Sequence, residues 1–369
     1  MIGDRPSIAR LDWPIIGLVL LLSIISVSNL YSTSMATGTN VYLVQMCWLG
    51  LGFVAMIVVA LLDYRDLQRL TPAFYGVVVV LLALVLVFGK EVNGARRWLD
   101  LGFASFQPSE FAKIAVILAL ASWFQRSARP GGYAMRDLGP IALILGLPMF
   151  LILQEPDLGH TLMVLFIGLT MLSYERFERR TFLILLIIAV ACAPLAWSFV
   201  LRDYQKERIM TLIDGKTDAL GAGWHSRQAR VAVGSGGLFG KGHAKGTQVA
   251  GGFLPENHTD FVFAHLAEEH GLVGAGLVLI IYLVLILMAL ASAARARDRF
   301  GGHAAVGIAG LLFWHVLMNV GMVLNLLPVT GVTLPLMSYG GTSVLTVMAA
   351  VGLLLNINLR RTMFGTTLD

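Results

Sequence analysis

Residues 253–294, FLPENHTDFVFAHLAEEHGLVGAGLVLIIYLVLILMALASAA, join a polar turn to a long apolar run. The run predicts a membrane-spanning helix over 261–294, because about 20 consecutive apolar residues are enough to cross the hydrocarbon core of a bilayer. Glu256, His258 and Asp260 stand at the entrance of this helix. Ionisable groups at a membrane boundary are costly to keep there and usually mark a functional site.

The same apolar character extends over the whole chain. Of its 369 residues, 57% are hydrophobic and 13% charged, and the mean hydropathy is +0.77. These values exclude an ordinary soluble protein and predict an all-α polytopic membrane protein that forms one domain over residues 1–369. Cys47 and Cys192 lie inside apolar runs and are predicted to be small core residues. Ten transmembrane helices are predicted, at 13–31, 41–62, 73–89, 109–124, 139–153, 158–174, 181–201, 261–294, 304–327 and 334–359.

The fourth to sixth predicted spans are short or interrupted. Glu110 and Lys113 open the fourth, and Pro156 with Gly159 separates the fifth from the sixth. Asp157 is predicted to cap the start of the sixth helix. Short or broken spans often form the binding region of a membrane protein, so we expect a binding region here.

Basic residues in the connections set the orientation. Arginines cluster after the second, fourth, sixth and eighth spans, and these connections are predicted to be cytoplasmic by the positive-inside rule. Both termini are then cytoplasmic, the first span is an uncleaved anchor, and 202–259 is a large, ordered extracytoplasmic loop between helices 7 and 8. Segments 90–108 and 202–259 carry basic residues on the outer side. Either long loops translocate regardless of charge, or these residues meet an anionic substrate at the outer leaflet.

Two patterns that suggest ligand sites do not meet the requirements of those sites. The run 234–242, GSGGLFGKG, has Ser235 where a phosphate-binding loop needs its first glycine, although Lys241 remains a candidate for contacting a lipid phosphate. His265 and His270 are five residues apart, which separates them by about 140° around a helix. We therefore predict neither a nucleotide site nor a zinc site.

Asp260 has two compatible predicted roles. It stands where a helix prefers a capping aspartate, and a carboxylate in a partly apolar cleft also suits a general base. Glu110 and Lys113 are three apart, so they can neutralise each other on one helix face; a functional role for them stays equally open. The polar residues of the ninth span are predicted to form hydrogen bonds between helices: His315, Asn319 and Asn325.

Six motifs in this order resemble the shape, elongation, division and sporulation (SEDS) family, and most closely its elongation members. They are NGARRWLDLG at 93–102, FQPSEFAK at 106–113, EPDLG at 155–159, GSGGLFGKG at 234–242, FLPENHTDFVFA at 253–264 and LPVTGVTLPLMSYGGTS at 327–343. The resemblance covers nearly the whole chain. Glu155 and His160 depart from the commoner family pattern QPDLGT, which makes a substrate role for that turn less certain.

The resemblance implies a peptidoglycan glycosyltransferase of the bacterial inner membrane. It implies that lipid II is polymerised into β-1,4-linked strands during elongation and maintenance of rod shape, with Asp260 as catalytic residue. It also implies a class B penicillin-binding transpeptidase partner, elongation-complex proteins and membrane lipids, but no nucleic acid. Mg²⁺ or Mn²⁺ could share in catalysis, although the sequence contains no dedicated ligand cluster. The candidate substrate-binding residues are Arg208, Lys113, Lys241, Glu110, His258, Arg96 and Arg97.

Two other functions stay open at this point. Intramembrane charges such as Glu110 and Lys113 also suit a lipid II flippase or transporter. A noncatalytic scaffold for the transpeptidase would leave Asp260 as a cap only.

Overall fold

The computed structural model describes residues 11–362, except for 93–94, 101, 103–104, 128, 130–131, 215–221, 255, 257 and scattered positions between 182 and 202. Seven helices in this part of the chain are long and apolar enough to cross a membrane. They are α1 (Trp13–Thr37), α2 (Val41–Leu61), α3 (Tyr64–Phe88), α5 (Leu138–Gln154), α10 (Val262–Ala294), α11 (Arg299–Val323) and α12 (Gly341–Thr362). The predicted helical membrane protein is therefore confirmed.

Two further helices lie among the long ones. The helix α4 (Pro108–Arg126) is almost entirely buried, and α6 (Leu158–Ser173) is apolar but shorter than the others. Most of the predicted seventh span, 181–201, lies outside the described residues together with Cys192. The predicted total of ten spans consequently stays a prediction.

The last two predicted spans have wrong boundaries. α11 covers Arg299–Val323 instead of 304–327, and α12 begins at Gly341 instead of 334. Residues 334–338 are buried, yet they belong to a loop whose carbonyls accept hydrogen bonds from other helices. Gln45 of α2 donates to the carbonyl of Ser338 at 3.1 Å, for example. Hydropathy alone cannot distinguish such a buried loop from a helix.

The centre of the bundle is formed by α11 and α12. Their apolar windows are 78% and 83% buried, whereas those of α1, α2, α3 and α10 are 22–44% buried and so face outward. α2 packs on α12, and α4, α6 and α10 pack on α11. Polar residues at the ends of these packed helices line the candidate site.

A small antiparallel sheet, which the sequence analysis did not predict, connects α3 to α4. Its strands are β1 (Lys90–Val92), β2 (Ala95–Asp100) and β3 (Ser105–Phe106), in the order β1-β2-β3. β2 packs against α3 and α4. This position brings the side chain of Arg97 to the turn between α5 and α6.

The long segment 202–259 contains three helices in its described part. They are α7 (Asp203–Asp214), α8 (Ala222–Gly236) and α9 (Thr247–Ala250). α8 packs along α10. The described part is thus largely helical, and the extracytoplasmic position of the loop stays a prediction.

α10 is interrupted at Gly271, whose backbone has φ 65° and ψ −166°. The turn 237–242 fits into this break. The amide of Leu272 donates to the carbonyl of Gly237 at 2.9 Å, and the amide of Lys241 donates to the carbonyl of Glu268 at 3.1 Å. A Cβ at position 271 would come within 2.4 Å of the amide nitrogen of Gly240. Only glycine meets both requirements, since it tolerates positive φ and leaves room for the neighbouring backbone.

Candidate active site

A cavity of about 200 Å³ opens where the ends of several elements meet. Its wall is formed by β2, the first turns of α4 and α6, the turn before α10 and the loop that leads into α12. The lining residues are Arg97, Trp98, Gln107, Glu110, Asp157, His160, Glu256, Thr259, Asp260, Gly331, Thr333, Tyr339, Gly340, Thr342 and Ser343. Three of the predicted site residues, Asp260, Glu110 and Arg97, are therefore brought together.

Asp260 directs its carboxylate into this cavity and does not cap α10. The capping position belongs to Phe261, which forms no side-chain capping bond, so the predicted capping role of Asp260 is wrong. Burial, followed by the negative charge of Glu256, raises the pKa of Asp260 to about 6, although Arg208 opposes the shift. A carboxylate with this pKa is ionised near neutral pH and binds a proton more strongly than an exposed aspartate does.

Two loops are tied together behind Asp260. The side-chain amide of Asn319 donates to the carbonyl of Asp260 at 3.0 Å and to that of Val332 at 2.8 Å. The hydroxyl of Ser338 donates to the carbonyl of Thr259 at 2.6 Å. Asn319 was expected to bond other helices, but its bonds instead fix the turn that carries Asp260.

A row of buried ionisable side chains leads inward from Arg97. Its Nε lies 3.7 Å from Asp157 Oδ2, and the same oxygen lies 3.0 Å from His160 Nδ1. The other ring nitrogen, Nε2, lies 2.9 Å from Glu110 Oε1. Glu110 pairs in turn with Lys113 at 2.7 Å, as the sequence spacing predicts.

Lys113 lies behind Glu110 and lines neither of the cavities described here. It is fully buried, and its Nζ lies 2.8 Å from Nε2 of His315, whose other ring nitrogen lies 2.9 Å from the carbonyl of Thr333. The row therefore runs without a gap from the sheet to the loop that precedes α12. Neutralising a buried charge by hydrogen-bonded partners is what allows it to persist in a membrane protein.

The turn between α5 and α6 holds two carboxylates in opposite electrostatic environments. Asp157 caps α6 by accepting from the amide of His160, which confirms the predicted cap. Burial disfavours its charge, but His160 and Arg97 outweigh that effect and lower the pKa of Asp157 to about 2. Glu155 is also buried, and neither carboxylate oxygen has a hydrogen-bond partner among the described residues. Burial and the charge of Asp157 raise the pKa of Glu155 to about 8.

A second, smaller cavity of about 30 Å³ adjoins the first. Arg97 and Asp157 line both cavities, and Arg208 of α7 lines the smaller one. Nη1 of Arg208 donates to the carbonyl of Val329 at 2.7 Å. Two arginines thus stand within one continuous polar surface that also contains Asp260.

The remaining predicted substrate-binding residues line neither cavity. Arg96 is half-exposed and lies 3.7 Å from Glu91. Lys241 donates to Glu268 at 2.6 Å. His258 packs its ring against Tyr339, with the ring centroids 5.9 Å apart.

The described residues contain no group of three or more His, Cys, Asp or Glu side chains arranged to hold a metal ion. The predicted Mg²⁺ or Mn²⁺ therefore stays a prediction.

Residues 7–363 match the sequence profile of the FtsW/RodA/SpoVE family of cell cycle proteins. This chain belongs to that family. The resemblance to SEDS proteins is thereby confirmed, and the RodA branch provides the most similar relatives reported below.

Two relatives and two solved structures show how far the similarity extends. The chain is 40% identical over 350 residues to the peptidoglycan glycosyltransferase MrdB of Escherichia coli (strain K12), covering 94% of each chain. It is 31% identical to the peptidoglycan glycosyltransferase RodA of Treponema pallidum (strain Nichols), covering 96% of this chain and 99% of the relative. Its fold matches one chain of a solved structure that describes the structural coordination of polymerization and crosslinking by a peptidoglycan synthase complex. The TM-score is 0.81, the identity is 33%, and the match covers 95% of this chain and 98% of that chain. It also matches RodA of Thermus thermophilus, with a TM-score of 0.71, 31% identity, and 95% and 97% coverage.

Sequence reasoning missed several residues of this candidate site. It did not assign a site role to Gln107, Asp157 or His160, and it did not connect His315 to Lys113. Each of these is a polar residue at the edge of, or inside, an apolar segment, which is the signal that could have selected them. Their mutual contacts depend on helices that are distant in the sequence.

Proposed function

We propose that this chain is a peptidoglycan glycosyltransferase that polymerises lipid II, and that Asp260 is its general base. Family membership and the names of the relatives support the activity. The observation that carries the residue assignment is the carboxylate of Asp260, with its pKa raised to about 6, in a polar cavity lined by Arg97. A general base works best when its pKa is close to the working pH.

The transfer joins two lipid-linked sugars with inversion. The 4-hydroxyl oxygen of one sugar attacks C1 of the other, while the bond from C1 to the pyrophosphate oxygen breaks with both of its electrons. Asp260 takes the hydroxyl proton, and the lipid pyrophosphate leaves as the anion. The α-linked donor thereby yields a β-1,4 bond, and a positioned base contributes roughly 10²–10⁴-fold to such a step.

Arg97 and Arg208 are the groups proposed to stabilise the departing pyrophosphate. Arginine suits this task because its planar guanidinium remains charged and can donate two parallel hydrogen bonds to a phosphate. Both residues line the cavities that adjoin Asp260, and Arg97 belongs to both. Lys113, Lys241, Arg96, Glu110 and His258 remain predicted contributors to substrate binding.

The membrane setting explains how such a substrate can be reached. The polyprenyl tail stays in lipid while its head group enters the cavity at the first turns of α4 and α6. We propose that this end of the bundle faces the outside of the inner membrane, with both termini cytoplasmic. The positive-inside distribution of arginines supports that orientation.

A class B transpeptidase is the proposed partner, and cell-wall elongation the proposed process. The structural neighbour belongs to a synthase complex that coordinates polymerization with crosslinking, which supports a crosslinking partner. Elongation-complex proteins are expected to associate with this pair. The similarity to RodA proteins supports elongation.

The test is polymerisation of labelled lipid II by the purified protein with its cognate transpeptidase. Wild type should make long glycan in the presence of moenomycin, which excludes contamination by classical transferases. Asp260→Asn should lower the rate at least 100-fold and still bind lipid II. Asp100→Asn provides a matched control, because this exposed carboxylate accepts a hydrogen bond from Lys90 and lines neither cavity.

Polymer formation by Asp260→Asn at the wild-type rate would overturn the base assignment. A folded wild-type complex that makes no polymer would overturn the transferase function. Movement of labelled lipid across proteoliposomes in that case would identify a flippase, and the absence of both activities would identify a scaffold.

A further inference from the structure

The imidazole of His160 is held between two carboxylates. Nδ1 lies 3.0 Å from Asp157 Oδ2 and Nε2 lies 2.9 Å from Glu110 Oε1, in a side chain that is 6% exposed. Neutral imidazole has only one N–H group, so it can donate to one carboxylate at most. Both contacts are hydrogen bonds when the ring is an imidazolium and each nitrogen carries a proton.

This imidazolium completes a row of alternating charges. Arg97, Asp157, His160, Glu110 and Lys113 are positive, negative, positive, negative and positive in order, which leaves one net positive charge. An uncharged residue at position 160 would leave the two acidic and two basic groups in balance. The positive excess lies at a cavity proposed to receive a pyrophosphate.

Arg97 is the member of the row that can meet the substrate. Its side chain is 31% exposed, and it lines both cavities. The guanidinium donates to the carbonyls of Glu155 and Pro156, and it lies beside Asp157. The two carbonyls hold the guanidinium at the turn, and Asp157 is the charged side chain beside it, with Oδ2 3.7 Å from Nε.

His160 is in turn the principal side-chain partner that holds Asp157. The next donor to Asp157 Oδ2 is the amide of Gln107, at the longer distance of 3.4 Å. Loss of the imidazole leaves Asp157 free to pair more closely with Arg97 and removes a neutralising partner from Glu110. Either change withdraws positive charge from the cavity.

We propose that His160 is a positioning residue: by fixing Asp157, it presents Arg97 to the pyrophosphate of the lipid-linked substrate. This inference rests on the transferase function proposed above. It adds His160 of the turn between α5 and α6 to the residues that act on the anionic head group.

A double-mutant cycle on substrate affinity tests the coupling. All variants carry Asp260→Asn, so that lipid II is bound without being consumed. In that background we expect His160→Gln and Arg97→Gln each to weaken binding of labelled lipid II roughly tenfold, the effect of losing one charge-assisted hydrogen bond. The double variant should be no weaker than Arg97→Gln alone, because His160 acts through Arg97.

His303→Gln is the matched control. His303 is likewise a buried histidine with a carboxylate partner, lying 2.7 Å from Glu175, but it is remote from both cavities. It should leave the affinity for lipid II unchanged. Thermal unfolding of each variant in detergent monitors folding separately.

The results separate this inference from the function on which it rests. Unchanged affinity in a folded His160→Gln protein, or independent losses that multiply in the double variant, would overturn the positioning role while wild-type polymerisation stands. Failure of wild type both to bind and to polymerise lipid II would overturn the function and the inference together.

Discussion

Asp260 should make the rate of polymerisation depend on pH in the range from 5 to 7. Only the ionised carboxylate can accept the hydroxyl proton, and burial together with Glu256 raises the pKa of Asp260 to about 6. About nine-tenths of the protein is then active at pH 7 and about one-tenth at pH 5, so kcat/KM should fall roughly tenfold between these values. An aspartate with an ordinary pKa near 3.9 would lose less than about a tenth of its activity over the same range.

The measurement is the initial rate of glycan formation at low lipid II concentration, from pH 4.5 to 8. Glu256→Gln removes the negative charge that favours the protonated form of Asp260. The acidic limb of the profile should therefore move to lower pH. Glu91→Gln is the control, since Glu91 is exposed and pairs with Arg96 outside the cavity. A profile that stays flat down to pH 5, or a limb that Glu256→Gln does not move, would refute the reasoning.

Two further predictions concern stability and the geometry of the site. Glu155→Gln should raise the melting temperature, because burial raises the pKa of Glu155 to about 8. Ionising this carboxyl therefore costs the folded state free energy of unfolding at pH values above the ordinary pKa of 4.5. This loss grows towards pH 8 and disappears in acid. At pH 7 the gain is on the order of 3 kcal/mol, and equal melting temperatures at pH 8 would contradict it. Asn319→Ala should lower the free energy of unfolding by about 2 kcal/mol and should also lower kcat, because the carbonyls of Asp260 and Val332 lose their donor. An unchanged kcat would show that Asp260 is held by other contacts.

The sequence predicts much of the membrane architecture because crossing a bilayer imposes a strong compositional requirement. Long apolar runs locate both ends of α2, α5 and α10 to within one residue, whereas α1 ends six residues later and α3 begins nine residues earlier than predicted. Hydropathy predicts a helix wrongly at 334–340, where a largely apolar segment forms a loop. It also fails at β2, whose strand follows from pairing with two neighbours rather than from its own hydropathy.

The candidate site was predictable only in part. Asp260 and the Glu110–Lys113 pair follow from charges placed beside apolar helices, and the spacing of three explains the observed ion pair. The contact between His160 and Glu110 joins residues 50 positions apart in the sequence. That between Lys113 and His315 spans 202 positions. No local pattern specifies such contacts, since they arise when separate helices pack together.

The break at Gly271 divides α10 into a part that is long enough to span a bilayer and a shorter part that precedes it. From Gly271 to Ala294 the helix rises about 35 Å, which is enough for a hydrocarbon core of about 30 Å. The nine residues Val262–His270 are therefore not needed to cross the core. Almost all of them are buried in protein, so this first part of α10 packs within the molecule directly after the turn that carries Asp260.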